Sequence, residues 1–203
     1  MTDFSDIKAD VAAITNRPDK ADLEASKINA AVRLISLSGK YWQDLQEVTL
    51  EVADGIVATA YVQSITLPAR FRHVLYVSYA DPANNPHIKP LSAESIVLKK
   101  TADDTNICYT SGSLLHIRNS VLSSTLLFGY YSYPAAMAAD TDTNWIIELM
   151  PSLVADLAAT LVLTSIGNTE NANLVQAVAN GQLGILVKDA MDSYEANVDT
   201  GRA

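Results

Sequence analysis

Few side chains in this sequence could carry covalent, acid–base or metal chemistry, and they are scattered. Cys108 is the lone cysteine, and the histidines are His73, His87 and His116. A metal site needs several such residues at recognisable spacing. None of the three histidines has another His, Cys or carboxylate at a ligand spacing. They are expected to be ordinary strand and loop histidines. Cys108 and a distant His could imitate a Cys–His nucleophile, but the expectation is a small, largely buried strand cysteine. A lone cysteine also excludes an internal disulfide framework and a four-cysteine zinc site.

Asp140-Thr141-Asp142-Thr143-Asn144 begins like a calcium loop. The sixth position is then Trp145 where such a loop needs Gly, and the twelfth is Pro151 where it needs Glu. The stretch reads as helix-capping turn residues instead. Ser38-Gly39-Lys40 lacks the upstream glycine of a phosphate-binding loop and runs into Tyr41. Tyr130, Tyr131 and Tyr133 could stack on bases or sugars. Strand aromatics at this spacing more commonly pack in the core and across strands, and no basic groove lies beside these three. No active site emerges. The expectation is a non-enzyme with no cofactor and no metal.

The elements that would position these residues follow from the apolar period. Phe4, Ile7, Val11 and Ile14 recur at helical spacing, with Asp3 or Ser5 able to cap the start and Pro18 beyond the end. A second helix is expected from Asp19, as N-cap, with Ile28, Ala31, Val32 and Ile35 on one stripe and Gly39 as its stop. The period then changes to that of strands. Val48, Leu50 and Val52 alternate with polar residues, and Asp54-Gly55 reads as a tight hairpin turn into a return strand from Ile56 to about Thr66. Phe71 to Tyr79 is another strand, and Asp81 to Pro90 a proline-rich loop. Ser92 to Lys100 fits a short helix or a strand. Ile107 to Thr110, Leu114 to Arg118 and Leu126 to Tyr133 are further strands, the first turning at Ser111-Gly112-Ser113.

After Pro134 the helical period returns. Pro151 suits a first helical turn, Leu153, Leu157 and Leu161 share a face, and Gly167 ends the helix. The last helix begins near Asn168-Thr169-Glu170, with a stripe of Leu183, Leu186, Val187, Ala190, Met191 and Tyr194. Gly181 and Gly184 within it allow a kink or a close helix contact. The predicted fold class is α+β: a helical bundle from the N- and C-terminal segments with an inserted antiparallel β block. The expected boundaries are 1–42 and 136–195 for the bundle, 43–135 for the β insertion and 196–203 for a flexible C-terminal tail.

Composition narrows the function classes. Among 203 residues, 49% are hydrophobic and 18% charged. That excludes a disordered chain and points to a surface partly covered by partners. The net charge is −9. An acidic chain does not wrap nucleic acid electrostatically. The charge is uneven: residues 1–40 are net 0, residues 41–135 net −2 and residues 136–203 net −7. The N-terminus lacks the pattern of a signal peptide and no stretch has the length of a membrane span, so a reducing cytoplasm or a particle assembled there is expected.

The order of several short patterns resembles the head-to-tail adaptor, or connector, proteins of tailed bacteriophages. These are Tyr41-Trp42 closing the N-terminal helices, Ile65-Thr66-Leu67-Pro68-Ala69-Arg70-Phe71, Lys89-Pro90-Leu91-Ser92, Leu114-Leu115-His116-Ile117, Thr143-Asn144-Trp145-Ile146-Ile147, and Met150-Pro151-Ser152-Leu153-Val154 opening a long Ala/Leu helix.

The resemblance implies a virion protein in the neck between head and tail. It would form a ring, a dodecamer matching the portal, with DNA passing through the lumen without specific binding. Its implied partners are the portal protein, a tail or nozzle protein and further copies of itself, with no membrane. The helical part would build the ring, and the β insertion would face the tail side or the outside. The end of the chain becomes a candidate portal contact, with Asp192, Tyr194, Val198 and Arg202. The acidic residues Asp189, Asp192, Glu195 and Asp199 become candidate lumen acids, since a carboxylate-rich wall repels phosphate, or else a solvated face. The competing functions are a carbohydrate- or ligand-binding β module, drawn from the tyrosine-rich strands, and a small hydrolase using Cys108 or a histidine.

Overall fold

A computed structural model describes residues 2–52, 62–80, 88–91, 107–118 and 124–200, the backbone alone from residue 193. Its elements are α1 (Phe4–Thr15), α2 (Ala21–Ser38), β1 (Leu45–Val52), β2 (Val62–Thr66), β3 (Phe71–Tyr79), β4 (Lys89–Pro90), β5 (Ile107–Ser111), β6 (Leu114–Arg118), β7 (Ser124–Ser132), α3 (Trp145–Leu149), α4 (Pro151–Ser165) and α5 (Thr169–Thr200). The fold is α+β. The N- and C-terminal helices pack together around one core, and a β region of two sheets is inserted between them. By compactness the chain divides into a helical unit, Met1–Asp44 with Tyr133–Ala203, and a β unit, Leu45–Ser132.

In the helical unit, α1 starts on a capping box. The Asp3 carboxylate accepts from the N–H groups of Ser5 at 2.9 Å and Asp6 at 3.1 Å, and the Asp6 side chain accepts from the Asp3 N–H at 3.1 Å. Asp19 does not cap α2 as its position predicts. Arg17 holds it through two bonds of 2.8 and 2.9 Å, and residues Pro18–Lys20 form a short 3-10 turn before α2 opens at Ala21. The Asp19 carboxylate is taken up instead by a two-pronged, charge-assisted pair with Arg17. Gly39 ends α2 with an extended backbone, not a left-handed one. What it supplies is room: a Cβ there would stand 2.9 Å from Cζ of Tyr41. Glu24 is buried near the start of α2, and its Oε1 has no hydrogen-bond partner among the described residues. Burial, and secondly the nearby Asp19 charge, raise its pKa.

The central helix is α4. The sequence predicts a single stripe of Leu153, Leu157 and Leu161, yet Leu157 and Leu161 are only partly buried. Instead Leu153, Val154, Ala155, Ala158, Ala159 and Val162 are all buried. The reason is that α4 has three helical neighbours, α1, α2 and α5, which together cover more than one stripe of it. It ends in a Schellman motif: Gly167 is left-handed at φ 79°, its N–H donates to Thr164 O at 3.1 Å, and Asn168 N–H donates to Leu163 O at 2.9 Å.

The last helix, α5, runs past the boundary expected at residue 195, through Thr200. Val175, Ala179, Leu183 and Leu186 pack on the core while Met191 is exposed, so the buried stripe lies further towards the N-terminus than predicted. A Cβ added at Gly181 or Gly184 would meet no atom within 4 Å, so neither glycine serves a close helix contact within the chain.

In the β unit the sheets have the orders β1-β7-β3 and β2-β6-β5-β4. The turn and the first part of the return strand predicted after β1, residues 53–61, lie outside the described residues. β1 pairs with β7 from Leu45↔Tyr131 to Val52↔Ser124, and β2 pairs with β6 in the other sheet. Asp54-Gly55 and Ser92–Lys100 lie outside the described residues. The β block is antiparallel apart from β4, which runs parallel to β5. The β5–β6 hairpin forms at the predicted turn, with Gly112 at φ 59°. Val77, Cys108, Leu115, Ile117, Leu126 and Phe128 bring both sheets into one core. Tyr76 lies across Gly129, its register partner on β7, where a Cβ would come within 2.3 Å of the ring. The Tyr76 hydroxyl donates to Glu47.

Candidate functional site

Of the six short patterns carrying the phage resemblance, three lie in the helical unit (Tyr41-Trp42, Thr143 to Ile147 and Met150 to Val154) and three in the β unit. Tyr41 and Trp145 meet with ring centroids 5.1 Å apart. Beside them Asp44 is buried and accepts from Trp145 Nε1 at 2.8 Å and from Ser36 Oγ at 2.8 Å. One carboxylate thus ties α2 to α3. Asn144 caps α3 by accepting from the N–H groups of Ile146 at 3.0 Å and Ile147 at 3.2 Å, and both isoleucines are fully buried.

The calcium-like run performs the capping work expected of it. Asp142 accepts from the N–H groups of Ala138 at 2.7 Å and Ala139 at 2.8 Å, which lower its pKa. The carbonyls of Asp142 and Asp140 accept from the N–H groups of Phe4 at 2.9 Å and Ser5 at 3.1 Å, and Lys8 pairs with Asp140. The turn therefore receives the N-terminus of α1, satisfying donors that a helix leaves open.

The candidate reactive groups are not brought together. Cys108 is buried, and burial pushes its thiol up to about 12, so it stays protonated at neutral pH and is a poor nucleophile. His116 stacks on Tyr109 at 4.7 Å, with Nδ1 2.8 Å from Ser64 Oγ. His73 is exposed on β3, opposite Tyr131 in register, and His87 lies outside the described residues. Among the described residues no three His, Cys, Asp or Glu side chains cluster as a metal site would need. The tyrosines pack. Tyr130 stacks with Phe128 at 5.1 Å, the guanidinium of Arg72 lies 5.3 Å from the Tyr131 ring, and that of Arg33 lies 4.5 Å from the Tyr133 ring.

The family model of the SU10 adaptor protein matches residues 2–201, which span the helical and the β unit. The chain belongs to that family. The SU10 adaptors are a phage head–tail adaptor family, structural and not catalytic in kind, so the family resemblance is borne out. A comparison with curated proteins finds no match. Among the described residues no helix is long and apolar enough to cross a membrane.

An adaptor works through partner proteins, so its contact surfaces are its functional site. Asp189 and Asp192 are exposed on α5. Tyr194, Glu195, Val198 and Asp199 continue the same helical backbone, and Arg202 lies outside the described residues. Two apolar surfaces escaped the sequence reading. One is the exposed Leu174, Val178 and Ile185 of α5, and the other is Leu34, Leu37 and Trp42 at the end of α2. The signal for the first was present. The apolar residues of α5 fall into two stripes, and only one can face α4.

Proposed function

We propose that this adaptor is a structural virion protein forming a ring, a dodecamer, between the portal and the tail or nozzle protein of a tailed phage, with DNA passing through its lumen. The observation that carries this reading is the family match over both units. The helical unit builds the ring and the β unit faces the tail side or the outside. Asp189, Asp192, Glu195 and Asp199 contribute a carboxylate wall that lets DNA slide without binding, consistent with a net charge of −7 over residues 136–203. The end of the chain, with Asp192, Tyr194, Val198 and Arg202, docks on the portal.

Electron microscopy of the chain mixed with the portal ring of the same phage tests this. A ring of adaptor density under the portal is expected, and portal rings left bare would overturn the reading. Deleting the residues after Tyr194 should leave heat stability unchanged and weaken portal attachment. Undiminished attachment would remove the tail from the portal contact.

A further inference from the structure

Two apolar surfaces of the helical unit face away from its core. On α5, Leu174, Val178 and Ile185 are 66%, 56% and 69% exposed. With Gly181 they follow the pattern i, i+4, i+7, i+11, which is one face of a helix. Since Val175, Ala179, Leu183 and Leu186 pack inward, α5 is apolar on two sides. The second surface closes α2, where Leu34 and Leu37 are 49% and 52% exposed, and continues in the next turn with Trp42 at 72%.

The two surfaces belong to two different helices, α2 and α5, that both pack on α4, and each turns its other face outward. On α2 the inward face is Ile28, Ala31, Val32 and Ile35, with Leu34 and Leu37 off it.

Charge distinguishes the two ways of covering them. Glu170, Asp189 and Asp192 accompany the outward side of α5, against the one base Lys188. Lys27, Arg33 and Lys40 accompany the end of α2. Pairing α5 with α5 would set carboxylates against carboxylates, whereas α5 against α2 sets them against bases.

We propose that the outward face of α5 in one copy seats on the end of α2 in the next copy. This rests on the ring reading above and names the faces that close the ring. The contact uses two different patches, so it is heterologous, the type that builds a ring when the rotation from copy to copy closes. It also gives Gly181 a purpose. The fold does not need a glycine there, since no atom of its own chain lies within 4 Å of a Cβ at that position. In the middle of the stripe it leaves a notch for a neighbour's side chain.

Sedimentation of the full chain over a range of concentrations tests the proposal, with Val178→Asp spoiling the α5 face and Leu37→Asp the α2 face. The unaltered chain should self-associate, and each variant should do so more weakly by roughly thirtyfold or more. Mixed, the two variants should form a 1:1 dimer and stop, because each keeps one good face. Gly181→Leu should raise the monomer's melting temperature by roughly 2–4 °C while weakening association, a split that a purely structural glycine would not produce. If the unaltered chain oligomerises and neither face variant weakens it, this assignment of faces is wrong and the ring reading stands. If the mixture gains nothing over its parts, the head-to-tail pairing is wrong. An unaltered chain that stays monomeric at every soluble concentration overturns the contact and the self-assembled ring together.

Discussion

The helical unit and the β unit treat their apolar residues differently. Among the described residues, the large apolar side chains left exposed belong to the helical unit, from Leu34 and Trp42 to Leu174 and Ile185, with Leu45 alone in the β unit. In the β unit, aromatic residues that could have faced outward are stacked inside, Phe71, Phe128 and Tyr130 among them. Among the described residues, uncovered apolar area therefore gathers on the helices, which is where an adaptor meeting other proteins can use it.

The contrast can be broken most severely in the β unit. Phe128→Ala should cost about 3–5 kcal/mol, because a fully buried ring leaves a cavity between the sheets. Denaturant unfolding followed by helical and by tertiary signals would show whether the helical unit outlives that loss. A single coincident transition would mean that the two units unfold as one. In the helical unit, Asp44→Ala should cost about 2–3 kcal/mol by leaving the Trp145 indole N–H and the Ser36 hydroxyl without their shared acceptor. Gly129→Ala should cost about 1–3 kcal/mol, since a Cβ there overlaps the Tyr76 ring. The smallest effect has the opposite sign. Glu24→Gln should stabilise the fold by about 1 kcal/mol at neutral pH, relieving a buried, partnerless carboxylate oxygen. Because the folded-state pKa of Glu24 is raised, native Glu24 costs nothing below its ordinary value of 4.5, and stability falls as pH rises through the raised value. The advantage of the variant should vanish on acidification, and thermal melts across that range would check it.

Local signals were legible where a few neighbouring residues decide the outcome. Asp3, Asn144, Pro151 and Gly167 do at helix ends what their types predict, and Gly112 makes its turn. Strand pairing was legible only where the partners are neighbours in sequence. The β5–β6 hairpin closes at its predicted turn, whereas nothing in β1 names the distant β7 as its partner, because that register is set by which faces bury together. Asp19 misled for a similar reason. A cap residue is read from its own position, while Arg17, two residues earlier, supplied another partner. The contact surfaces stayed hidden because an exposed and a buried leucine look alike until α4 takes one face of α5.

The pairing of β1 with β7 has a kinetic consequence. Leu45 and Tyr131 are opposite one another in register, so the chain enters and leaves the β unit at adjacent points. Closing a flexible loop of this length would cost on the order of 4 kcal/mol in entropy before the C-terminal helices could meet α1 and α2. Once the β unit has folded, that cost has already been met, and the long excursion acts on the helices as a short turn. The helical unit cannot be completed until α4 and α5 have been synthesised, whereas residues 45–132 can close as soon as β7 emerges. Synthesis from the N-terminus thus favours an order of events in which the insertion folds first and sets the two halves of the bundle side by side.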